Sequence, residues 1–184
     1  MDKVKRLNIG SGNDYRNGWV NLDYNKDYNV DIVYNLDKFP YPFKDEEFNL
    51  IYCSHILEHV KDFFKTMEEL LRILKPDGVL HIKVPHFSNG LGFTDLTHKR
   101  FFGWDTFKHL TNGYYNKDFD FKIVEQKFNF LSSDHIFLNR CFNWFFNMWN
   151  KKFYERFLCW KIPVGEIELK IKKATDERKL NKWW

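Results

Sequence analysis

The sequence predicts an α/β domain built on a mostly parallel sheet. Three observations predict it: short β-type runs recur along the chain, one segment between two of them has helical spacing, and glycine and proline punctuate the joins. Val4 to Ile9 reads as a first strand that runs straight into the tight turn Gly10-Ser11-Gly12. Trp19 to Asp23 is a second strand ending on an acid, and Asp31 to Tyr34 a short third, followed by a Pro40/Pro42 loop that continues neither sheet nor helix. Phe48 to Cys53 is a buried-type strand. From about His59 to Leu74, Val60, Phe63, Phe64, Met67, Leu70, Leu71 and Leu74 fall on one helical face, and Pro76-Asp77-Gly78 ends the helix before the strand Val79 to Val84. Strands joined through one helix and short turns imply βαβ units with right-handed crossovers, hence parallel pairing.

Beyond Pro85 the pattern weakens. A glycine- and histidine-containing loop spans His86 to Phe102, a short helix is expected near Asp105–Leu110, and Phe121 to Val124 reads as a strand. Phe142, Phe145, Phe146, Trp149, Phe153 and Phe157 then recur at three- and four-residue steps, which predicts an amphipathic aromatic helix over Phe142–Trp160. Glu166 to Lys172 alternates strictly, as a half-solvated edge strand does, and the charged tail to Trp184 is expected to fray. The whole chain, 1–184, is expected to be one domain, with a core over about 4–130 and the aromatic helix and edge strand over about 140–173.

Composition narrows the function classes. Apolar residues at 43% and charged residues at 29% can build a core, which excludes a disordered polymer. The net charge of +4 comes from scattered lysines, so no nucleic-acid partner is expected. Cys53, Cys141 and Cys159 are an odd, widely spaced set and the opening residues lead into no apolar leader, which predicts a reduced, cytoplasmic setting. No run reaches the roughly eighteen apolar residues that a bilayer span needs.

In an open parallel sheet, ligands collect beyond the carboxyl ends of the strands. Gly10-Ser11-Gly12 lets backbone approach a ligand there, Asp23 can accept from both hydroxyls of a ribose, Asn35-Leu36 offers an amide edge for an adenine, and Ser54-His55 closes the fourth strand. The stretches Leu7 to Gly12, Gly18 to Asp23, Phe48 to His59 and Leu71 to Gly78 together resemble the class I S-adenosylmethionine-dependent methyltransferases of the type 11 group, over about residues 4–102.

That resemblance implies a Rossmann-like three-layer sandwich of seven strands with an antiparallel last strand, and S-adenosylmethionine as cofactor. It places Gly10, Ser11 and Gly12 beside the methionyl and ribose parts and Asp23 on the ribose. Asn35 and Leu36 would face the adenine, with Ser54 and His55 near the reactive methyl. The chain departs from the pattern at Asp14, which stands where a third glycine is usual, and at Asn35, where an acid is usual. Only about eleven residues lie between Gly12 and Asp23, too few for the usual helix, and with the first strand so near residue 1 no upstream lid helix is expected.

Methyl transfer is an in-line displacement at a sulfonium, so alignment and exclusion of water matter more than a covalent nucleophile. A base would help a hydroxyl or amine acceptor, and His55, His86 and His98 are the candidates. The acceptor is expected to be a small molecule, a sugar or other metabolite, with the loop Asp95–Phe102 bordering its site. Two rivals differ in class. His55-Ile56-Leu57-Glu58-His59 spells the inverted zinc-hydrolase pattern, but His55 directly follows a strand whereas the pattern needs a helix, so no metal is expected. A non-catalytic cofactor-binding or assembly subunit is the other. The aromatic segment 142–160 could cover the sheet, pair with a second copy, or lie at a membrane surface.

Overall fold

The computed structural model describes residues 4–115, 119–130, 140, 142, 144, 148 and 150–174. Seven strands form one sheet: β1 (Arg6–Ile9), β2 (Val20–Asp23), β3 (Ile32–Val33), β4 (Phe48–Ser54), β5 (Leu74–Pro85), β6 (Phe121–Asn129) and β7 (Glu166–Lys173). Their order is β3-β2-β1-β4-β5-β7-β6. The first five pair in parallel, and β7 runs antiparallel to both β5 and β6, so the mostly parallel sheet with an antiparallel last strand is as expected.

The edge-strand expectation is corrected: β7 lies between β5 and β6, and the edges are β3 and β6. Alternation in Glu166 to Lys172 reports one apolar and one polar face, which an interior strand can have as readily as an edge one. The register makes this plain. Ile9, Cys53, Ile82 and Leu169 are partners along one row and Leu7, Ile51, Leu80 and Ile171 along another, all essentially buried. The opposite face carries Asn8, Tyr52, His81 and Lys170 in register, then Ser54, Lys83 and Glu168.

Helix α1 (Phe63–Ile73) joins the core through Phe63, Met67, Leu70 and Ile73. It begins four residues later than the periodicity suggests, because Asp62 caps it by accepting from the Lys65 N–H at 2.9 Å. Pro76-Asp77-Gly78 does not separate helix from strand; it is absorbed in β5 as an irregularity, where pairing jumps from Phe48–Leu74 to Leu50–Val79. Arg72 in the last turn of α1 holds the Pro40/Pro42 loop by donating to the Phe43 and Tyr41 carbonyls at 2.9 and 3.2 Å.

The helix expected near Asp105–Leu110 is a 3-10 turn over Lys108–Thr111. The aromatic helix is interrupted: Asn150 is extended and caps a new turn at Lys151–Phe153, which passes into a π-turn at Tyr154–Leu158. That change of phase turns Tyr154 and Cys159 inward and leaves Phe153, Phe157 and Trp160 exposed; Phe142 before it is exposed too, so among the described residues the expected apolar stripe does not form one buried face. Phe145, Phe146, Trp149, Cys141 and the tail from 175 lie outside the described residues. Among the described residues no helix is long and apolar enough to cross a membrane.

On the polar face Glu168 meets His81 Nε2 and Asn129 Nδ2, each at 2.8 Å, and Lys127 Nζ at 3.4 Å. Burial alone would raise this carboxyl, but those partners and Lys83 outweigh it and hold it at about 2 against an ordinary 4.5. A lowered folded-state value makes its stabilisation complete above pH 4.5 and lost as pH falls toward 2. Urea midpoints of the wild type and E168Q should therefore differ at neutral pH and converge across that acid window; a constant offset would exclude Glu168 from the acid response.

Candidate functional site

The carboxyl ends of β1 to β4 and the turns after them line a cleft of about 550 Å³. Its wall includes Gly10, Gly12, Asp23, Asn35, Leu36 and His55, so the site residues expected on four different strands come together, with Ser11 and Ser54 as exceptions.

The turn after β1 is fixed by backbone hydrogen bonds, the Gly10 and Ser11 N–H groups both donating to the Leu22 carbonyl at 2.8 and 3.0 Å. Gly10 (φ +66°) is required twice over: its backbone is left-handed, and a Cβ there would fall 2.4 Å from Ile56 Cγ1. At Gly12 (φ +49°) a Cβ would meet nothing within 4 Å, so the missing side chain leaves open space at the cleft wall. Ser11 is buried beneath the turn and its Oγ has no hydrogen-bond partner.

Asp23, only 6% exposed, accepts from the Gly12 N–H through Oδ2 and from the Asn25 N–H through Oδ1, each at 2.9 Å. A carboxylate has about four lone-pair sites, so two remain for a ligand. In place of a helix between β1 and β2 there is a polar network. Asn8 Nδ2 donates to the Asp14 carbonyl at 2.6 Å and to Asn21 Oδ1 at 3.2 Å, and the backbone and side-chain N–H of Asn21 donate to Asp31 Oδ2 at 2.7 and 2.9 Å. Those donors hold the Asp31 carboxyl below its ordinary range.

After β3, Asn35 Oδ1 accepts from the Asp37 N–H at 2.9 Å. One lone pair of the side-chain carbonyl thus serves a local turn, and the other, with the amide NH₂, is what Asn35 can offer a ligand. Leu36 is a buried part of the wall, beside Tyr34 and Asp37.

The three candidate bases separate. His55 lines the cleft in a left-handed backbone conformation (φ +51°), held by Glu166 Oε2 at 3.0 Å from Nε2 and Glu58 Oε1 at 3.4 Å from Nδ1. Burial lowers its pKa, but the two carboxylates outweigh burial and raise it to about 9. A ring already protonated at neutral pH cannot serve as a base, so that role is corrected. His86 is fully buried away from the cleft, bonded to Ser88 Oγ at 2.7 Å and Glu155 Oε1 at 3.1 Å; its role is structural. His98 stands behind the cleft wall with its ring centroid 4.7 Å from that of His59. Ser54 pairs with Lys83 in the sheet register and lies outside the residues that line the cleft.

Residues that the strand-end reading passes over complete the wall. Tyr24, Tyr28 and Tyr34 add aromatic surface, Ile56 and Val60 add aliphatic surface, and His59, Asp95, Thr97 and Lys99 add polar groups. The signal for the last group was present in part, since the Asp95–Phe102 loop was expected to border the acceptor. Burial lowers the His59 pKa, with Glu58 opposing, so its ring carries a lone pair at neutral pH.

The methyltransferase domain family matches residues 8–82. Among solved structures, the chain resembles a SAM-dependent methyltransferase from Archaeoglobus fulgidus at 18% identity, over 92% of this chain and 86% of that one, with a TM-score of 0.59. An S-adenosylmethionine-dependent methyltransferase from Mesorhizobium loti matches at 12% identity over 92% and 91%, TM-score 0.58. A methyltransferase of Haloferax volcanii in complex with a methyltransferase activator matches at 15% identity over 93% and 84%, TM-score 0.52. At these identities the structural likeness speaks for the fold. No curated protein sequence matches the chain. The family match spans the glycine turn, Asp23 and the β4 loop, and the strand order around it is that of the Rossmann-like methyltransferase fold.

Proposed function

We propose that the cleft binds S-adenosylmethionine with Gly10 and Gly12 against its methionyl and ribose parts, Asp23 on the ribose hydroxyls, and Asn35 and Leu36 at the adenine. The methyl then passes to the oxygen or nitrogen of a small-molecule acceptor, such as a sugar or other metabolite, that enters past His59, Asp95, Thr97 and Lys99. The observation that carries this reading is the pairing of Asp23 with Gly12: a nearly buried carboxylate keeps two lone pairs beside a residue whose absent side chain leaves room for a ligand. The cofactor supplies an activated methyl group. The chain's part is to hold donor and acceptor in line and keep water from the sulfonium. Free, buried Cys53 and Cys159 fit the reduced, cytoplasmic setting expected from the sequence.

Calorimetry with S-adenosylmethionine and with S-adenosylhomocysteine, followed by transfer of labelled methyl to pooled small-molecule extracts, tests the reading. One-to-one binding of both and label in a low-mass fraction are expected. Absence of binding by either compound removes it.

One observation favours a second reading, in which a partner completes the site. The outer wall is made of exposed residues, Tyr24, Asp95, Thr97 and Lys99, and one structural neighbour is a methyltransferase held by an activator. Label transfer that appears only after addition of a protein fraction would select it. The exposed Phe153, Phe157 and Trp160, near Lys152 and Arg156, suit a second copy of the chain or a membrane surface, which sedimentation with and without vesicles separates.

A further inference from the structure

His59 of the cleft wall, with Glu58 and His98 behind it, forms a group of ligating side chains that the proposed cofactor contacts do not use. Glu58, His59 and His98 each place one ligating atom within 4.8 Å of the others. Glu58 is fully buried: its Oε1 faces His55 Nδ1 at 3.4 Å, whereas its Oε2 and the buried His98 Nδ1 have no hydrogen-bond partner. Buried polar atoms are nearly always satisfied, so Glu58 Oε2 and His98 Nδ1, both without a hydrogen bond and close to His59, ask for an occupant.

The surroundings suit a cation. Thr97 Oγ1 donates to Asp95 Oδ1 at 2.6 Å, and it must therefore accept from His59 Nδ1, 2.8 Å away. That fixes the His59 proton on Nδ1 and leaves the lone pair on Nε2, the arrangement in which a ring held by an outer oxygen ligates a metal. The two loops are braced before any ligand arrives. Lys99 N–H donates to the Glu58 carbonyl at 2.9 Å and Lys99 Nζ to the His59 carbonyl at 2.5 Å, while Arg100 donates to the Leu57 and Lys61 carbonyls at 2.7 and 3.1 Å. The positive groups near the cluster are thus Lys99 and Arg100, both committed to carbonyls, and His55, 3.4 Å from Glu58 Oε1; Asp95 Oδ2, 3.8 Å from His98 Nε2, adds a second negative charge. Bonds of about 2.0–2.2 Å to a zinc-sized ion set donors about 3.4 Å apart, so the three side chains need to close by about 1 Å.

We propose that Glu58, His59 and His98 bind one divalent transition-metal ion of the zinc class at the rim of the cleft, and that its open positions take a hydroxyl oxygen of the methyl acceptor. Two imidazoles and one carboxylate suit such an ion, and three protein ligands leave positions for a substrate. This is not the H-x-x-E-H arrangement. His55 is turned to Glu166, Leu57 to His59 form a turn outside the helix, and the third ligand comes from a loop some forty residues on. The proposal deepens the methyl-transfer reading and rests on it for the acceptor's role. The metal-bound hydroxyl releases its proton to water, the oxygen lone pair forms the new O–CH₃ bond as the S–CH₃ bond breaks, and the electron pair stays on sulfur in S-adenosylhomocysteine.

The test begins with protein freed of metal by a chelator and titrated with Zn²⁺ by calorimetry and with Co²⁺ by visible absorption. One ion per chain is expected, with affinity falling about 100-fold or more in His59→Ala and His98→Ala and about tenfold in Thr97→Val. His55→Gln should keep the stoichiometry. Addition of acetohydroxamate should shift the Co²⁺ bands through the open positions. Failure of the wild type to bind either ion one to one overturns the site, as does undiminished binding by the His59 and His98 variants. If both of those variants lose their fold by circular dichroism, Thr97→Val on its exposed loop decides, and unchanged affinity there overturns the proposal. Unshifted Co²⁺ bands overturn the acceptor's place on the metal. S-adenosylhomocysteine binding to the metal-free protein is measured in parallel: cofactor binding without metal binding sinks only this inference, whereas metal binding without cofactor binding sinks the methyl-transfer reading and leaves the ion site.

Discussion

Gly10→Ala is expected to cost the protein stability and cofactor affinity together. The new methyl would sit 2.4 Å from Ile56 Cγ1 and 2.8 Å from Ile56 Cβ, closer than real side-chain carbons approach, on a backbone with φ +66°. A left-handed alanine costs about 1–2 kcal/mol and overpacking about 1–3 kcal/mol more, so a loss of roughly 2–5 kcal/mol in urea unfolding is expected. Ile56→Ala in the same chain should restore the steric part but not the backbone part. Gly12→Ala provides the contrast, because its methyl would meet no protein atom. It should lose about 1–2 kcal/mol of stability, yet lose S-adenosylhomocysteine binding by filling the space beside Asp23. Equal stability losses in the two variants would show that Ile56 does not pack on the turn as described.

Asp23→Ala should weaken cofactor binding by about 1.5–3 kcal/mol, roughly ten- to hundredfold in Kd. Two effects add. The ribose loses its acceptor, and the Gly12 and Asn25 N–H groups, which donate to Asp23 at 2.9 Å, lose theirs, so the turn itself loosens. Asp23→Asn separates them: one amide oxygen can keep one of the backbone donors, while the NH₂ cannot accept from a hydroxyl. Calorimetry on both variants is the check. Affinity unchanged in Asp23→Asn would mean that the ribose is held by another group.

What the residues disclosed in advance follows a physical line. Gly10, Gly12 and Asp23 are legible because close backbone approach and a strand-terminal acceptor are local properties that a few neighbouring residues specify. The roles of the histidines are not legible, because each depends on a partner far along the chain. His55 is protonated through Glu166, 111 residues away, and His86 is locked by Glu155, 69 residues away. His59 sits within the H-x-x-E-H stretch, but what makes it a cleft residue is a loop some forty positions on. At Asn35 a purely local bond, from the Asp37 N–H to its side-chain carbonyl, decides which atoms are left for a ligand.

The same distinction governs the fold. Alternation in Glu166 to Lys172 truthfully reports which side chains are buried, but hydrogen bonding runs perpendicular to that direction, so an interior strand reads like an edge. The aromatic spacing over 142–160 assumes one unbroken helical phase, and Asn150 with the π-turn after it resets that phase. The eleven-residue step from Gly12 to Asp23 correctly excludes a helix; what replaces it, a network through Asn8, Asn21 and Asp31, could be seen only with the strands in register.

That network divides the molecule thermodynamically. Around α1, unfolding exposes hydrocarbon and carries the large heat-capacity change that bends a stability curve downward in the cold. The asparagine-tied end also buries Leu7, Ile9 and Leu22, but it adds the amides and carboxylate of Asn8, Asn21 and Asp31, whose hydration works in the opposite direction, so its local opening should bend less with temperature. Chilling should therefore loosen the packing around α1 more readily than the bend at Gly10 to Gly12.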